Sequence, residues 1–276
     1  MEQKFSISMC VYGKDDPQWF QEAVDSILHQ TCPPDEIVLV VDGPVPEHLG
    51  RIIEACEANA VFKVIRLRTN QGHGEARRIG LAACTNELVA LMDSDDISVS
   101  NRFEKQLAVF RRCPDVAVVG GNITEFEGTP ENLVGARTVE QTDDAIKWDM
   151  KKRCPMNQVT VMFRKTAVEK AGGYVDWYCE EDYYLWLRMY LNGAEFANVP
   201  DYLVNVRVGK EMYQRRGGFR YFSSEAKLQK YMLDQKIIGF GTYTINVCKR
   251  LIVQLLLPNG LRSWVFQKFA RKAVKK

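Results

Sequence analysis

Histidine is scarce in this chain, and no two cysteines stand as a CxxC pair. The histidines are His29, His48 and His73, while the eight cysteines lie scattered at 10, 32, 56, 84, 113, 154, 179 and 248. Without a Cys/His cluster a zinc site is not expected. The N-terminus runs straight into a strand pattern, so no signal peptide is expected. Scattered thiols without a secretory signal point to a reducing cytosol. No apolar run approaches the ~20 residues of a transmembrane helix. The longest candidate, Leu251–Leu257, contains Gln254 and ends at Pro258. Acidic residues are absent after Asp234, where nine Lys or Arg occur. The tail therefore carries +9, and residues 1–234 carry −7 from 28 basic and 35 acidic side chains. The overall balance of +2 calls for no nucleic-acid partner. Internal repeats and low-complexity segments are also missing.

With 276 residues, 46% hydrophobic and 26% charged, the composition is that of a soluble globular protein. It is large enough for one big domain or a domain with an appendage. The first 120 residues alternate strands and helices. Phe5–Tyr12 reads as a strand, and Pro17 opens a helix with Trp19/Phe20, Ala23/Val24 and Ile27/Leu28 at helical spacing. Ile37–Val41 is apolar and β-branched, as expected of a strand covered on both faces. A helix marked by Leu49, Ile52, Ile53 and Cys56 follows, then strand Val61–Leu67, a Gly-rich turn, a helix to about Cys84, and strand Leu88–Met92. Asn101-x-x-Glu104 has the form of a capping box before a helix with Phe103, Leu107 and Phe110. Val116–Val119, followed by Gly120-Gly121, reads as a fifth strand. This predicts a doubly wound, mostly parallel α/β sheet. From Asn122 to Pro155 the pattern loosens into an excursion over the active face. Beyond it, Val159–Phe163, Phe196–Val199 and Leu203–Val208 read as strands, and Lys165–Ala171 and Glu181–Leu191 as helices.

The chemistry concentrates at strand ends. Leu91-Met92-Asp93-Ser94-Asp95-Asp96 carries three carboxylates in four positions directly after a buried strand. Such charges repel and call for water or a cation. At the carboxyl edge of a parallel sheet they suit a hard divalent ion, while the plain alternative is an acidic loop capping the next helix. Tyr12 and Asp42 end the first two strands; an aromatic ring can stack on a base, and a carboxylate can accept from base N–H or ribose hydroxyls. In Asn70-Gln71-Gly72-His73-Gly74-Glu75-Ala76-Arg77 a dinucleotide fingerprint fails, because its third glycine falls at Arg77. The glycines still allow close backbone approach, and His73 and Arg77 at a helix start suit an anionic group. Glu180-Glu181-Asp182 opens a helix, where acids also simply complement the dipole. Arg215-Arg216-Gly217-Gly218 is a basic loop that either clamps phosphate or is solvated.

These pieces, in this order, resemble the family 2 glycosyltransferases of bacterial polysaccharide biosynthesis. The matching stretches are Ile7–Tyr12, Ser26–Thr31, Glu36–Gly43, Asn70-x-Gly72-x-x-x-Ala76-Arg77, Asp93–Asp96, Ala171–Tyr174 and Glu181–Trp186, together spanning roughly residues 5–210. The resemblance implies a GT-A-type fold: a doubly wound, mostly parallel sheet flanked by helices, here followed by a basic helical tail. It implies that residues 1–120 form the nucleotide-sugar half of the domain and 121–234 its acceptor and catalytic half. By the same resemblance Tyr12 and Asp42 hold the base, expected to be uracil. Asp93 and Ser94 contact the donor or the metal shell, and Asp95 ligates Mn²⁺ or Mg²⁺ at the diphosphate. Asp182 is the general base, with Glu181, Arg215 and Arg216 as further diphosphate or acceptor contacts. The expected activity is an inverting, metal-dependent transfer from a UDP-sugar to a saccharide acceptor linked to undecaprenyl diphosphate, in O-antigen or capsule assembly. The sequence departs from many relatives in having Val41 before Asp42, and Arg207-Val208-Gly209 where a metal-completing histidine often stands. Fewer protein ligands to the metal are therefore expected.

One alternative is a sugar-nucleotide pyrophosphorylase, but its Gly/Arg-rich loop is replaced here by Gly13-Lys14-Asp15-Asp16-Pro17. A scaffold of the same fold without turnover is the other. Residues 235–276 form the basic tail, in which Leu261, Val265, Phe269 and Ala273 would share one helical face. A basic amphipathic helix of that kind lies in a bilayer interface, so the expected location is the inner face of the cytoplasmic membrane.

Overall fold

The computed structural model describes residues 3–209 and 218–257. A nine-stranded mixed sheet is its centre. Strands β1 (Phe5–Tyr12), β2 (Glu36–Asp42), β3 (Phe62–Arg66) and β4 (Leu88–Met92) alternate with helices α1 (Pro17–Leu28), α2 (Glu47–Glu57) and α3 (His73–Ala83). These four strands are parallel, in the order β3-β2-β1-β4. Two core layers explain why β2 is apolar from Ile37 to Val41. Ile37, Leu39 and Val41 face α1 and α2. Val38 and Val40 face α3 and the helices of the second half. The start of α1 follows its sequence: Asp16 accepts from the N–H groups of Gln18 and Trp19, and Pro17 occupies the first turn.

The second half joins the same sheet. After the two-residue strand β5 (Ile97–Ser98) come α4 (Arg102–Arg112), β6 (Val116–Phe126), β7 (Leu133–Arg137) and α5 (Asp143–Asp149). Then follow β8 (Met162–Arg164), α6 (Lys165–Lys170), α7 (Glu181–Leu191), β9 (Glu195–Arg207), α8 (Phe219–Asp234) and α9 (Phe240–Leu251). Alternation makes Val116–Val119 a fifth strand of the parallel series. In the sheet, β8 is inserted between β4 and β6, antiparallel to both. β6 does not stop at Gly120-Gly121. A side chain at Gly120 would meet Asn198 Oδ1 at 2.5 Å, and one at Gly121 would meet Leu203 at 2.6 Å. The glycines are places where β9 packs too closely for a Cβ, and the strand passes through them. The two strands expected near 196–208 are one, β9, whose register against β6 slips at Pro200-Asp201. The capping box does not form either: Asn101 makes no side-chain cap, and Glu104 instead accepts from Thr31 Oγ1 at 2.8 Å.

Helix α7 spans the predicted residues and buries Tyr183, Leu185, Trp186, Leu187 and Met189 in the second core layer. Helices α8 and α9 brace it from below. Asn246 on α9 donates to Gln229 Oε1 on α8 at 2.8 Å and to the Lys151 carbonyl at 2.9 Å. No helix among the described residues is long and apolar enough to cross a membrane. Arg215, Arg216 and the tail beyond Leu257 lie outside the described residues.

Candidate active site

Parallel strands bring their carboxyl ends to one edge. Tyr12 and Asp42 are direct register partners, and Met92, the last residue of β4, pairs with Met9. Tyr12 and Asp42 thus leave the sheet side by side, and Asp93 leaves it directly after the Met9–Met92 pair, at the same edge. Tyr12 is 41% exposed at this edge. Asp42 is buried and anchors the next loop: its Oδ1 accepts from Gln71 N–H at 2.7 Å and its Oδ2 from Gly72 N–H at 3.0 Å. Gly43 turns away with φ +90°, and a Cβ there would lie 2.6 Å from the Asn70 nitrogen. The end of β2 and the 70–72 turn therefore form one tightly fitted unit.

His73 is exposed at the start of α3, whereas Arg77, one turn on, is buried. Arg77 Nη2 donates to Asp93 Oδ1 at 2.6 Å. Ser94 is turned toward the first loop, its hydroxyl donating to Asp15 Oδ2 at 2.8 Å, and Tyr12 N–H donates to the same oxygen at 3.1 Å. Asp96 is buried and accepts from Arg207 N–H at 2.9 Å. Burial and the neighbouring Asp95 and Asp93 charges hold its carboxyl well above the ordinary range.

Arg207, at the end of β9, grips this loop in the Arg207-Val208-Gly209 stretch that lacks a histidine. Its Nε donates to the Asp95 carbonyl at 3.1 Å, its Nη1 to the Gly128 carbonyl at 2.9 Å, and its Nη2 to Glu22 at 2.5 Å. The guanidinium also lies over the Trp19 and Phe126 rings. Beneath β4, the fully buried Arg102 donates to the Leu91 carbonyl at 2.8 Å, and its charge faces Asp93 and Asp96. Burial pulls its pKa down to about 9. Nothing in the sequence marked Arg102, which sits where helix starts are commonly polar and solvated.

Among the described residues no three His, Cys, Asp or Glu side chains converge as a ready cage for a metal ion. Asp93 faces Arg77 and Asp96 faces the Arg207 backbone. Asp95 differs: burial, then the nearby Asp93 and Asp15 charges, push its carboxyl up to about 6. A carboxyl crowded by like charges is one that a cation relieves. Hard divalent ions are commonly held by one or two carboxylates plus substrate phosphates. The donor set at Asp95 fits that arrangement.

The second-half carboxylates reach the same place. Asp182 accepts from Tyr183 N–H at 2.6 Å and from the Cys154 thiol at 3.7 Å. Burial raises its pKa, while Arg77 draws it down. Glu181 is raised by burial and by Asp182, again with Arg77 opposing. Glu180 is buried and raised by burial and by Glu225 on α8. One guanidinium, Arg77, therefore pairs with the carboxylate at the end of β4 and acts electrostatically on those opening α7. The Cys154 thiol beside Asp182, driven well above its ordinary pKa by burial, stays protonated.

Residues 6–171 match the family described as glycosyl transferase family 2. The chain is 35% identical over 269 residues to the Escherichia coli UDP-Gal:alpha-D-GlcNAc-diphosphoundecaprenol beta-1,3-galactosyltransferase, covering 98% of this chain and 97% of that one. It is 34% identical over 264 residues to the amylovoran biosynthesis glycosyltransferase AmsE of Erwinia amylovora, covering 96% and 98%. Among solved structures, Staphylococcus aureus TarS 1-349 in complex with UDP-GlcNAc aligns with a TM-score of 0.64 at 17% identity, over 91% of this chain and 73% of that one. The mannosyltransferase PcManGT from Pyrobaculum calidifontis, in complex with GDP-Man and Mn²⁺, aligns at 0.63 and 14% identity, over 95% and 72%. At these identities the structural likeness concerns the fold, the GT-A type.

Proposed function

Because the chain belongs to glycosyl transferase family 2, we propose that it moves a sugar from UDP to a saccharide carried on undecaprenyl diphosphate. The reading places the step in the assembly of a cell-surface polysaccharide such as O-antigen or capsule. The single observation that carries it is the Arg77–Asp93 ion pair at the carboxyl edge of the sheet, whose guanidinium also acts electrostatically on Glu181 and Asp182 at the start of α7. Donor-side and base-side groups are then coupled through one guanidinium, as suits a displacement at a sugar carbon.

In this reading Tyr12 and Asp42 flank the base, with residues 1–120 serving the donor. Residues 121–234 supply the acceptor side. Asp93 and Ser94 face the ribose and diphosphate, and Asp95 holds Mn²⁺ or Mg²⁺. The bound ion supplies Lewis-acid neutralisation of charge on the departing diphosphate. Asp182 takes the proton from the acceptor hydroxyl as its oxygen bonds to the anomeric carbon and the carbon–phosphate oxygen bond breaks. A positioned base of this kind contributes typically ~10²–10⁴-fold. Its pKa, lifted by burial, suits it to receive a proton. Attack from the side opposite the leaving group inverts the anomeric carbon, and the protonated Cys154 offers no competing nucleophile. Glu181 and the Arg215-Arg216 pair are assigned to the acceptor and the diphosphate. The basic tail places the enzyme peripherally on the inner face of the cytoplasmic membrane.

A thermal-shift panel of UDP, GDP and dTDP, with and without Mn²⁺, tests the donor assignment. UDP with Mn²⁺ should stabilise most, by about 2.7 kcal/mol at a hundredfold excess over Kd. Equal shifts with all three nucleotides, or none with UDP, would contradict it.

A further inference from the structure

Two polar atoms at the centre of the site have no partner. The Tyr174 hydroxyl and Arg77 Nη1 are buried without a hydrogen bond, and each residue is only 5% exposed. Native proteins leave few buried donors unpaired, because each one costs desolvation. Tyr174 is held at this spot by the preceding turn, in which Gly172 and Gly173 both take positive φ, 85° and 66°. Its phenol lies within electrostatic reach of Arg77, Asp182, Glu181 and Asp93. It is therefore coupled both to the carboxylate at the end of β4 and to those of α7.

Charge decides what these two donors await. The Arg77 charge is already matched by Asp93 at 2.6 Å, and Glu181 and Asp182 add only negative charge. A phosphate placed here would meet more carboxylates than cations. A neutral ring bearing hydroxyls would meet two N–H or O–H donors and several carboxylate acceptors, the complement of a diol. We infer that Tyr174 Oη and Arg77 Nη1 form the subsite that grips hydroxyls of the transferred sugar, with Tyr174 setting which sugar is accepted. This rests on the reading of the chain as a UDP-sugar transferase. It also assigns Arg77 to the sugar ring, where the sequence alone suggested an anionic group.

The test is Tyr174→Phe, which removes one oxygen. Isothermal titration of the full chain with UDP, UDP-galactose, UDP-glucose and UDP-N-acetylglucosamine, in Mn²⁺, is run beside thermal melts. The variant should bind UDP within twofold of wild type. It should bind the UDP-sugar preferred by wild type at least tenfold more weakly. Its unliganded Tm should be unchanged or higher, since an unpartnered buried hydroxyl is gone. Loss of UDP and UDP-sugar affinity together, or of neither, would overturn the inference. So would a lowered Tm accompanied by general loss of binding, which marks a structural hydroxyl. A wild type that binds none of the four ligands would overturn the transferase reading first and the inference with it.

Discussion

Arg77 Nη2 donates to Asp93 Oδ1 at 2.6 Å, with the Arg77 side chain 6% exposed and that of Asp93 31%. This pair ties α3 to the end of β4 and sets the charge balance of the whole site. Asp93→Ala leaves a buried guanidinium unmatched and should cost about 1–3 kcal/mol, less than a fully buried broken pair because Asp93 is partly solvated. Asp95→Ala removes a charge crowded by Asp93 and Asp15 and should be neutral or slightly stabilising. Urea unfolding of both variants checks the contrast; equal destabilisation would contradict it.

With Asp95 as the proposed metal ligand, metal binding should depend on pH. Its folded pKa of about 6 lies above the ordinary 3.8, so ionisation opposes folding. The penalty is absent below about pH 4, grows up to about pH 6 and is constant above. Mn²⁺ takes the ionised form. The Mn²⁺-induced rise in Tm should therefore be small near pH 5 and full near pH 7.5. Asp95→Asn should abolish it at both. A shift independent of pH in the wild type would place the metal elsewhere.

The turn behind the proposed base site tolerates no side chain at Gly43. Its φ of +90° is disfavoured for alanine, and a Cβ would press on the Asn70 backbone at 2.6 Å. Gly43→Ala should cost about 1–3 kcal/mol and weaken UDP binding by displacing the 70–72 turn that Asp42 holds. Calorimetry together with UDP titration reads both effects, and wild-type UDP affinity in the variant would separate this turn from the nucleotide.

The parts of the fold that repeat were legible before any coordinates. The apolar run Ile37–Val41 and the amphipathic pattern of Glu181–Leu191, with Tyr184, Leu185, Leu187 and Leu191, are each local signals, although α7 buries Tyr183, Trp186 and Met189 beside Leu185 and Leu187 and leaves Leu191 exposed; the carboxylates at strand ends point to one edge of the sheet. Long-range fits were not legible. Gly120-Gly121 looks like a stop until β9 is seen to lie against it. Glu104 looks like a cap until Thr31 is seen within reach. The strand read at Val159–Phe163 is β8, Met162–Arg164, after a short 3-10 turn at Gln158–Thr160, and nothing in its residues tells that it separates β4 from β6. Arg102, Arg207 and Tyr174 act through burial against residues far away in sequence, which no local pattern reports.

The packing of α9 changes how the tail must be tested. Asn246 and Arg250 bond to Gln229, Lys151 and Glu225, so a cut after Asp234 would strip bracing from α7. A cut after Leu257 spares those contacts and removes six of the nine basic residues after Asp234. The full chain should sediment with anionic vesicles, less so in high salt. The chain ending at Leu257 should lose at least about tenfold in that binding; unchanged sedimentation would contradict membrane contact through the tail.

The most direct measurement is sugar transfer itself. Wild type and Asp182→Asn are given radiolabelled UDP-galactose, UDP-glucose and UDP-N-acetylglucosamine with Mn²⁺ and N-acetylglucosaminyl-diphospho-undecaprenol. Label in the lipid phase and the anomeric configuration of the product are read. The account predicts that one donor labels the lipid through a β linkage, inverted from the α donor. It also predicts that Asp182→Asn retains UDP binding but loses at least about a hundredfold in turnover. A product that keeps the α configuration, full turnover in Asp182→Asn, or no labelled lipid from any of the donors would contradict it.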